Sequence, residues 1–290
     1  MDRLSETSQK QRERLSHIDF RAQFLGEIGR NDICARFGIG GAAATRDITL
    51  YRKLAPNNLE YNPEVRSYVK SDAFEPLFDC SPTQALAALS QGFGSGSIGS
   101  HKAMIRCETP ELLNTPSLSV LAALTRAIHQ GRVVRIQYRS IQSGLSSRKI
   151  VPFALVDNGL RWHVRAYDRK RHRFADFVIT RITSPKVVEG EPKEQETREA
   201  DIQWNRVVEM ELVAHPKLLH PETIERDYAM RDGLLRVNVR AAVAGYVLRL
   251  WNVDCTEDHS LEGAEHHLWL RNSQALYGVQ NLVLAPGYSG

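Results

Sequence analysis

At 290 residues, with 42% hydrophobic and 25% charged side chains, the chain has the composition of an ordinary soluble globular protein and the length for two or three domains. Its first fourteen residues are polar and charged, and no run approaches the roughly eighteen apolar residues that span a bilayer, so a cytoplasmic protein without membrane contact is expected. The net charge is only +4, and Cys34, Cys80, Cys107 and Cys255 lie far apart with no Cys-x-x-Cys pair, which argues against a disulfide framework or a zinc knuckle.

Leu15, Ile18, Ala22 and Leu25, flanked by Phe24 and Ile28, recur at the spacing of one helical face and predict a first helix over about residues 12–28. Asn31-Asp32 can cap a short second helix over residues 33–37, which ends at Gly38. The Gly40-Gly41 pair then gives a tight turn. A third helix over residues 42–54 stops before Pro56 and has two unlike faces. Ala44, Ile48, Tyr51 and Ala55 face one way, whereas Thr45, Arg46, Thr49, Arg52 and Lys53 face the other. Residues 59–61 and 65–70, separated by Asn62-Pro63-Glu64, read as a small hairpin. Three short helices and a hairpin make the layout of a winged helix-turn-helix, in which the second helix of the turn enters the major groove. Residues 30–70 hold seven basic and four acidic side chains, so one copy would bind weakly through phosphates alone and a dimer would double the contacts.

A connector follows, with a short helix at residues 83–89, a glycine-rich loop at 92–99 that lacks the Gly-Lys-Ser/Thr ending of a P-loop, and an amphipathic helix at 118–129. The charge then becomes one-sided. Residues 126–186 hold fourteen Lys and Arg against Asp157, Asp168 and Asp176, a local +11 that reads as a site for polyanions. Within this block the period changes to two. Residues 133–138, 148–155, 160–167 and 176–182 look like strands of a small antiparallel barrel or strongly bent sheet. On the third of these, Trp162, Val164 and Ala166 share the core side and His163, Arg165 and Tyr167 the other. Residues 189–201 turn acidic and read as an exposed linker. The remainder, with strands at 207–213 and 234–241 and helices at 221–228 and 243–250, reads as a small α+β domain.

Four pieces in order, Arg135-Ile-Gln-Tyr138-Arg139-Ser140, Arg148-Lys-Ile-Val-Pro152, Gly159-Leu-Arg-Trp162-His163-Val164-Arg165-Ala-Tyr-Asp168 and Phe177-Val-Ile-Thr-Arg181-Ile182, resemble the WYL domain of bacterial transcription regulators. Trp162-His163-Val164 stands where that family has its Trp-Tyr-Leu triplet, with the Trp alone kept. The segments from Arg30 to Gly38 and from Ala44 to Tyr51 resemble the winged helix of the same regulators, and the group most alike is the repressors beside phage-defence operons such as BREX and CBASS islands. The resemblance implies an α+β chain in five parts: a winged helix (1–75), a helical connector (76–125), a small Sm-like or SH3-like WYL barrel that senses a ligand (126–188), a linker (189–205) and a C-terminal dimerisation extension (206–290). It implies a homodimeric repressor on an inverted-repeat operator, relieved by an anionic nucleotide or nucleic-acid effector. Carried over residue by residue, the effector site would use Tyr138, Arg139, Ser140, Arg148, His163, Arg165 and Arg181. Arginine forks suit phosphate oxygens, and the Tyr138 and His163 rings could stack on a base. On DNA, Thr45, Arg46 and Thr49 would lie nearest base edges, with Arg52, Lys53 and Arg66 nearer phosphates.

Two other classes stand beside this one. An accessory protein whose WYL domain holds single strands or regulates a partner enzyme would carry its affinity on Arg148 and Arg165 and not on Arg46. An enzyme is disfavoured. The ten histidines include no His-x-x-x-His or His-x-Glu pattern, Glu265 before His266-His267 is a weak hint, and Ser140 and Ser147 lack a Gly-x-Ser-x-Gly elbow. No catalytic residue, metal or cofactor is expected.

Overall fold

The computed structural model describes residues 7–91, 104–108 and 113–288, so the glycine-rich loop expected at 92–99 lies outside the described residues. The chain divides into two compact units, Met1–Thr109 and Pro110–Gly290.

In the first unit, α1 (Gln9–Leu25), α2 (Arg30–Phe37) and α3 (Gly41–Leu54) pack around Leu15, Ile18, Ala22, Ile33, Ala44, Ile48 and Tyr51, all of them sealed from solvent. The apolar spacing read on α1 and α3 is what this core consumes. The second helix starts earlier than expected. Its cap is Gly29, and the Asp32 carboxylate folds back to accept the Gly29 N–H at 2.8 Å. The turn between α2 and α3 is made by Gly38 in the left-handed region (φ +63°), whereas Gly40 is the extended cap of α3 and Gly41 its first residue. The hairpin of β2 (Leu59–Asn62) and β3 (Ser67–Lys70) is joined by the two-residue β1 (Glu27–Ile28) into an antiparallel sheet of order β1-β3-β2. A polar knot ties α3 down: the buried Tyr51 hydroxyl donates to Asp19, which also accepts the backbone N–H of Leu77 and Phe78. The helix α4 (Pro82–Gln91) lays Ala85 and Leu89 on Phe20 of α1.

The second unit opens with α5 (Leu118–His129), the span the periodicity predicts. Five strands follow: β4 (Val134–Ser140), β5 (Gly144–Asp157), β6 (Trp162–Asp168), β7 (Arg173–Val178) and, after a 3-10 turn at Ile179–Arg181, β8 (Ile182–Val187). They form one antiparallel sheet of order β7-β6-β5-β4-β8. The expected closed barrel is not found, because β7 and β8 are the two edges and no ladder joins them among the described residues. One face, with Val134, Ile136, Ile150, Val164, Ala166 and Phe177, packs on Leu124 and Ala127 of α5. Beyond the sheet come α6 (Ile202–Asn205), β9 (Val207–Ala214), α7 (Pro221–Asp227), β10 (Leu235–Arg240), α8 (Ala241–Leu250) and β11 (Leu268–Leu270). Their sheet has the order β10-β9-β11, and Val208, Met210 and Leu212 of its central strand pack with Ala241, Ala244 and Leu248 of α8.

The candidate nucleic-acid interface and the basic sheet

On α3 the inward and outward faces fall where the sequence places them. Ala44, Ile48 and Tyr51 are fully buried, while Thr45, Arg46, Thr49, Arg52 and Lys53 are exposed. The electrostatics of the outward face depend on a residue the sequence reading did not weigh. Asp47 is the helix's one carboxylate, and it turns inward to 2% exposure. There it accepts from Arg14 Nε at 2.6 Å and from Gln11 Nε2 at 3.4 Å. The exposed face of α3 is thereby left with Arg46, Arg52 and Lys53 and no acid. The Thr45 and Thr49 hydroxyls donate back to the carbonyls of Gly41 and Thr45, at 2.9 and 2.8 Å, which fixes their methyls and lone pairs outward. Arg52 lies 5.4 Å from the ring of Tyr68 on β3, so a cation–π contact ties the helix to the hairpin beside it. At the hairpin tip, Asn62 Oδ1 accepts the Glu64 N–H and Arg66 takes a left-handed conformation (φ +53°) that leaves its side chain exposed.

The basic block is built differently from the expectation. Its seven proposed ligand residues do not converge on one pocket, because the register places them on opposite faces. Arg148 stands opposite Ile136, and Tyr138 opposite Ser146, which puts both on the α5 side. There the Arg148 guanidinium, 5% exposed, bonds Asp168 at 2.6 Å, and the Tyr138 ring meets Phe177 edge-on at 5.0 Å. His163 and Arg165 lie on the reverse face and are equally buried. Ser140 caps the β4–β5 turn by accepting the N–H of Gln142 and Ser143, Arg181 is half-buried at the end of the 3-10 turn, and Arg139 is exposed. Trp162, expected in the core, is 37% exposed. It is the first residue of β6, opposite Asp157 at the turn end of the β5–β6 hairpin.

What buries His163 and Arg165 is the segment expected as an exposed linker, together with α8. Arg165 donates from Nε and Nη2 to Asp201 at 2.7 and 3.1 Å and from Nη1 to Asp176 at 3.0 Å. Burial alone would lower its pKa, but the two carboxylates more than offset this and raise it, so its charge is permanent. Tyr246 of α8 donates to the other oxygen of Asp176 at 3.0 Å and stacks on the His163 ring with centroids 5.2 Å apart. Arg169 is held by the buried Glu196 at 2.6 Å, and Trp204 packs edge-on against Phe153. Further along α8, Leu250 lies so close to the β5–β6 turn that a methyl on Gly159 would sit 2.4 Å from its Cδ1. Ala242, Tyr246 and Leu250, spaced four apart, thus form the side of α8 turned to the basic sheet, and a cleft of about 290 Å³ beside Arg165, Arg173, Asp176 and Tyr246 marks the edge of this contact. Sequence signals for these partners were faint. Asp201 and Glu196 sit in an acidic run that reads as solvated, and only the alternation that put Arg165 opposite the core hinted that it needed a partner.

Among the described residues, no group of three or more His, Cys, Asp or Glu is placed to hold a metal ion, and no helix is long and apolar enough to cross a membrane.

Comparison with known proteins divides the chain in the same order. Residues 10–90 match the BrxR transcriptional regulator winged helix-turn-helix domain, residues 119–187 the WYL domain, and residues 207–276 the C-terminal dimerization domain of the BrxR transcriptional regulator. Proteins named DNA-binding transcriptional repressor CapW are similar over most of their length. That of Escherichia coli (strain KTE188) is 31% identical over 278 residues, 93% of this chain and 91% of its own. That of Pseudomonas aeruginosa is 32% identical over 253 residues, covering 84% and 83%. That of Stenotrophomonas maltophilia is 30% identical over 273 residues, covering 91% and 90%. Among solved structures, the proteasome accessory factor B/C of Arthrobacter aurescens aligns with 84% of this chain at 19% identity and a TM-score of 0.26, the chain spanning 44% of its length. The chain belongs to the WYL-domain regulator family that includes the CapW proteins, with a BrxR-type winged helix before the WYL domain and a BrxR-type dimerization domain after it.

Proposed function

We propose that this chain is a cytoplasmic, homodimeric transcriptional repressor that reads an inverted-repeat operator through α3 and is relieved by an anionic nucleotide or nucleic-acid effector at its WYL domain. The observation that carries the reading is the outward face of α3, cationic because Asp47 is drawn into an inward pair with Arg14. Thr45, Arg46 and Thr49 are assigned to base edges, and Arg52, Lys53 and Arg66 to phosphates. The CapW proteins carry the name DNA-binding transcriptional repressor, and their similarity over nine-tenths of the chain supports the same role here, at a phage-defence operon. The five-part division at residues 75, 125, 188 and 205 is retained as the working domain plan. Within it, α8 belongs to the dimerisation part but docks on the WYL sheet through Tyr246 and Leu250, so it is the element through which an effector would alter the dimer. Gel shifts on DNA upstream of the protein's own gene test the reading. Binding is expected to be sequence-dependent and salt-sensitive and to be lost in Arg46→Ala; equal binding to scrambled DNA would sink it.

A further inference from the structure

In the first unit, a row of side chains runs from the hairpin to α3 and ends in a cation with no acceptor of its own. β3 is the central strand of the β1-β3-β2 sheet, and Tyr68 on it stands between Ile28 of β1 and Tyr61 of β2. Ile28 is sealed from solvent, and Tyr68, half-buried, packs on the same core. On its other side the Tyr61 ring meets it edge-on, with centroids 5.2 Å apart. A ring set between two cross-strand neighbours has little freedom to turn. Over its face lies the Arg52 guanidinium, 5.4 Å from the centroid. Of the outward cations on α3, Arg52 alone has such a seat among the described residues, and it makes no ion pair or hydrogen bond with any of them. A contact with a ring face needs no acceptor atom, so the N–H donors of Arg52 stay open to a ligand.

We propose that Tyr68 is a positioning residue for DNA binding, its ring holding Arg52 in the conformation in which the guanidinium meets a phosphate of the duplex. A long cationic side chain in solvent samples many rotamers, and a phosphate contact has to freeze them. A guanidinium already seated on a ring loses less freedom when DNA arrives, and its planar fork is presented ready to phosphate oxygens. The seat also joins α3 to the hairpin whose tip carries Arg66, so the phosphate contacts assigned to Arg52 and Arg66 are set by one piece of structure. The ring is what matters in this role, and the Tyr68 hydroxyl is dispensable to it. Phosphate contacts carry no base information, so Tyr68 acts on affinity for any duplex, whereas Arg46 acts on preference between duplexes. The inference rests on the repressor reading for its duplex and adds to it a residue that acts through Arg52.

The test is a double-mutant cycle on full-length protein, read by anisotropy on upstream and scrambled duplexes over a salt series. Y68L should weaken binding to both duplexes alike, by about tenfold for a dimer that makes the contact twice, and Y68F should stay within about twofold of wild type. R52Q should weaken both and flatten the slope of log affinity against log salt by about 1.8, the value for two phosphate contacts. In the R52Q background, adding Y68L should change affinity by less than about twofold, because the group it acts through is gone. Y68I, β-branched as a strand prefers, is made alongside and replaces Y68L should that protein not fold. A loss as large without Arg52 as with it, or a Y68F protein as weak as Y68L, overturns the positioning role. Unchanged affinity in Y68L or in R52Q does so too. The repressor reading fails separately, when wild type binds the two duplexes equally; the cycle is then still read on either. Absence of any duplex binding by wild type overturns both.

Discussion

The arginines that carried the family resemblance differ from their neighbours by what meets them. Arg148 and Arg165 are buried against Asp168, Asp176 and Asp201, while Arg135 and Lys149, one or two residues from them in register, stand in solvent. Removing one partner of a buried pair strands a charge, so Asp168→Ala is expected to cost roughly 3 to 5 kcal/mol, measured by the denaturant midpoint. The Lys170 N–H, which Asp168 also accepts, loses its partner in the same change. His163 carries a pH dependence. Burial against the sheet lowers its pKa below the usual 6.5, and Arg161 lowers it further, with Asp176 opposing. The unfolded chain then binds a proton near pH 6.5 that the folded chain refuses, so the neutral ring's contribution is present above that pH and is lost as pH falls through it. Thermal midpoints at pH 7.5 and 5.0 should fall further apart in wild type than in His163→Gln; an unchanged gap would show that His163 titrates freely. A ring so placed reports on the α8 contact, since Tyr246 stacks on it.

At the scale of elements, α8 is the joint of the second unit, and its packing makes one substitution act against its usual sign. Alanine in place of a helical glycine ordinarily stabilises by about 1 kcal/mol. At Gly245 an added methyl would sit 2.1 Å from the Asn281 backbone carbonyl oxygen, and the Gly245 N–H is bonded to the Asn281 side chain. Gly245→Ala is therefore expected to destabilise the protein by about 2 kcal/mol or more, seen as a lowered urea midpoint with an unchanged slope; a stabilised protein would contradict this packing. Helices and strands were largely legible in the sequence, because period and length speak for themselves: α5 and α3 fall within a residue of the expected spans. The faces were legible too. What covers a face was not, since the alternation that sets His163 and Arg165 against Val164 and Ala166 is the same whether the second face meets solvent or Tyr246 and Asp201. The register that aligns Lys186, Arg135 and Lys149 was equally hidden, because it depends on which strand pairs with which and on a bulge between Arg135 and Gln137.

For the whole molecule, three kinds of positive charge lie behind the net +4. Cations on α3 and its hairpin face outward beside no exposed acid on the helix, cations inside the second unit hold the WYL sheet to the segment and helix that follow it, and Arg135, Arg139, Lys149 and Lys186 of that sheet are exposed, with no ion pair among the described residues. The first set carries the central claim, that this is a sequence-reading repressor. It is tested most directly by anisotropy titration of full-length wild-type and Arg46→Ala protein against upstream duplex DNA and a scrambled duplex at one fixed salt concentration. The account predicts at least a hundredfold preference of wild type for the upstream sequence, and a loss of about 1 to 3 kcal/mol of that preference in Arg46→Ala with little change on the scrambled duplex. Equal affinity of wild type for the two duplexes, or an Arg46→Ala protein weakened equally on both, would contradict it.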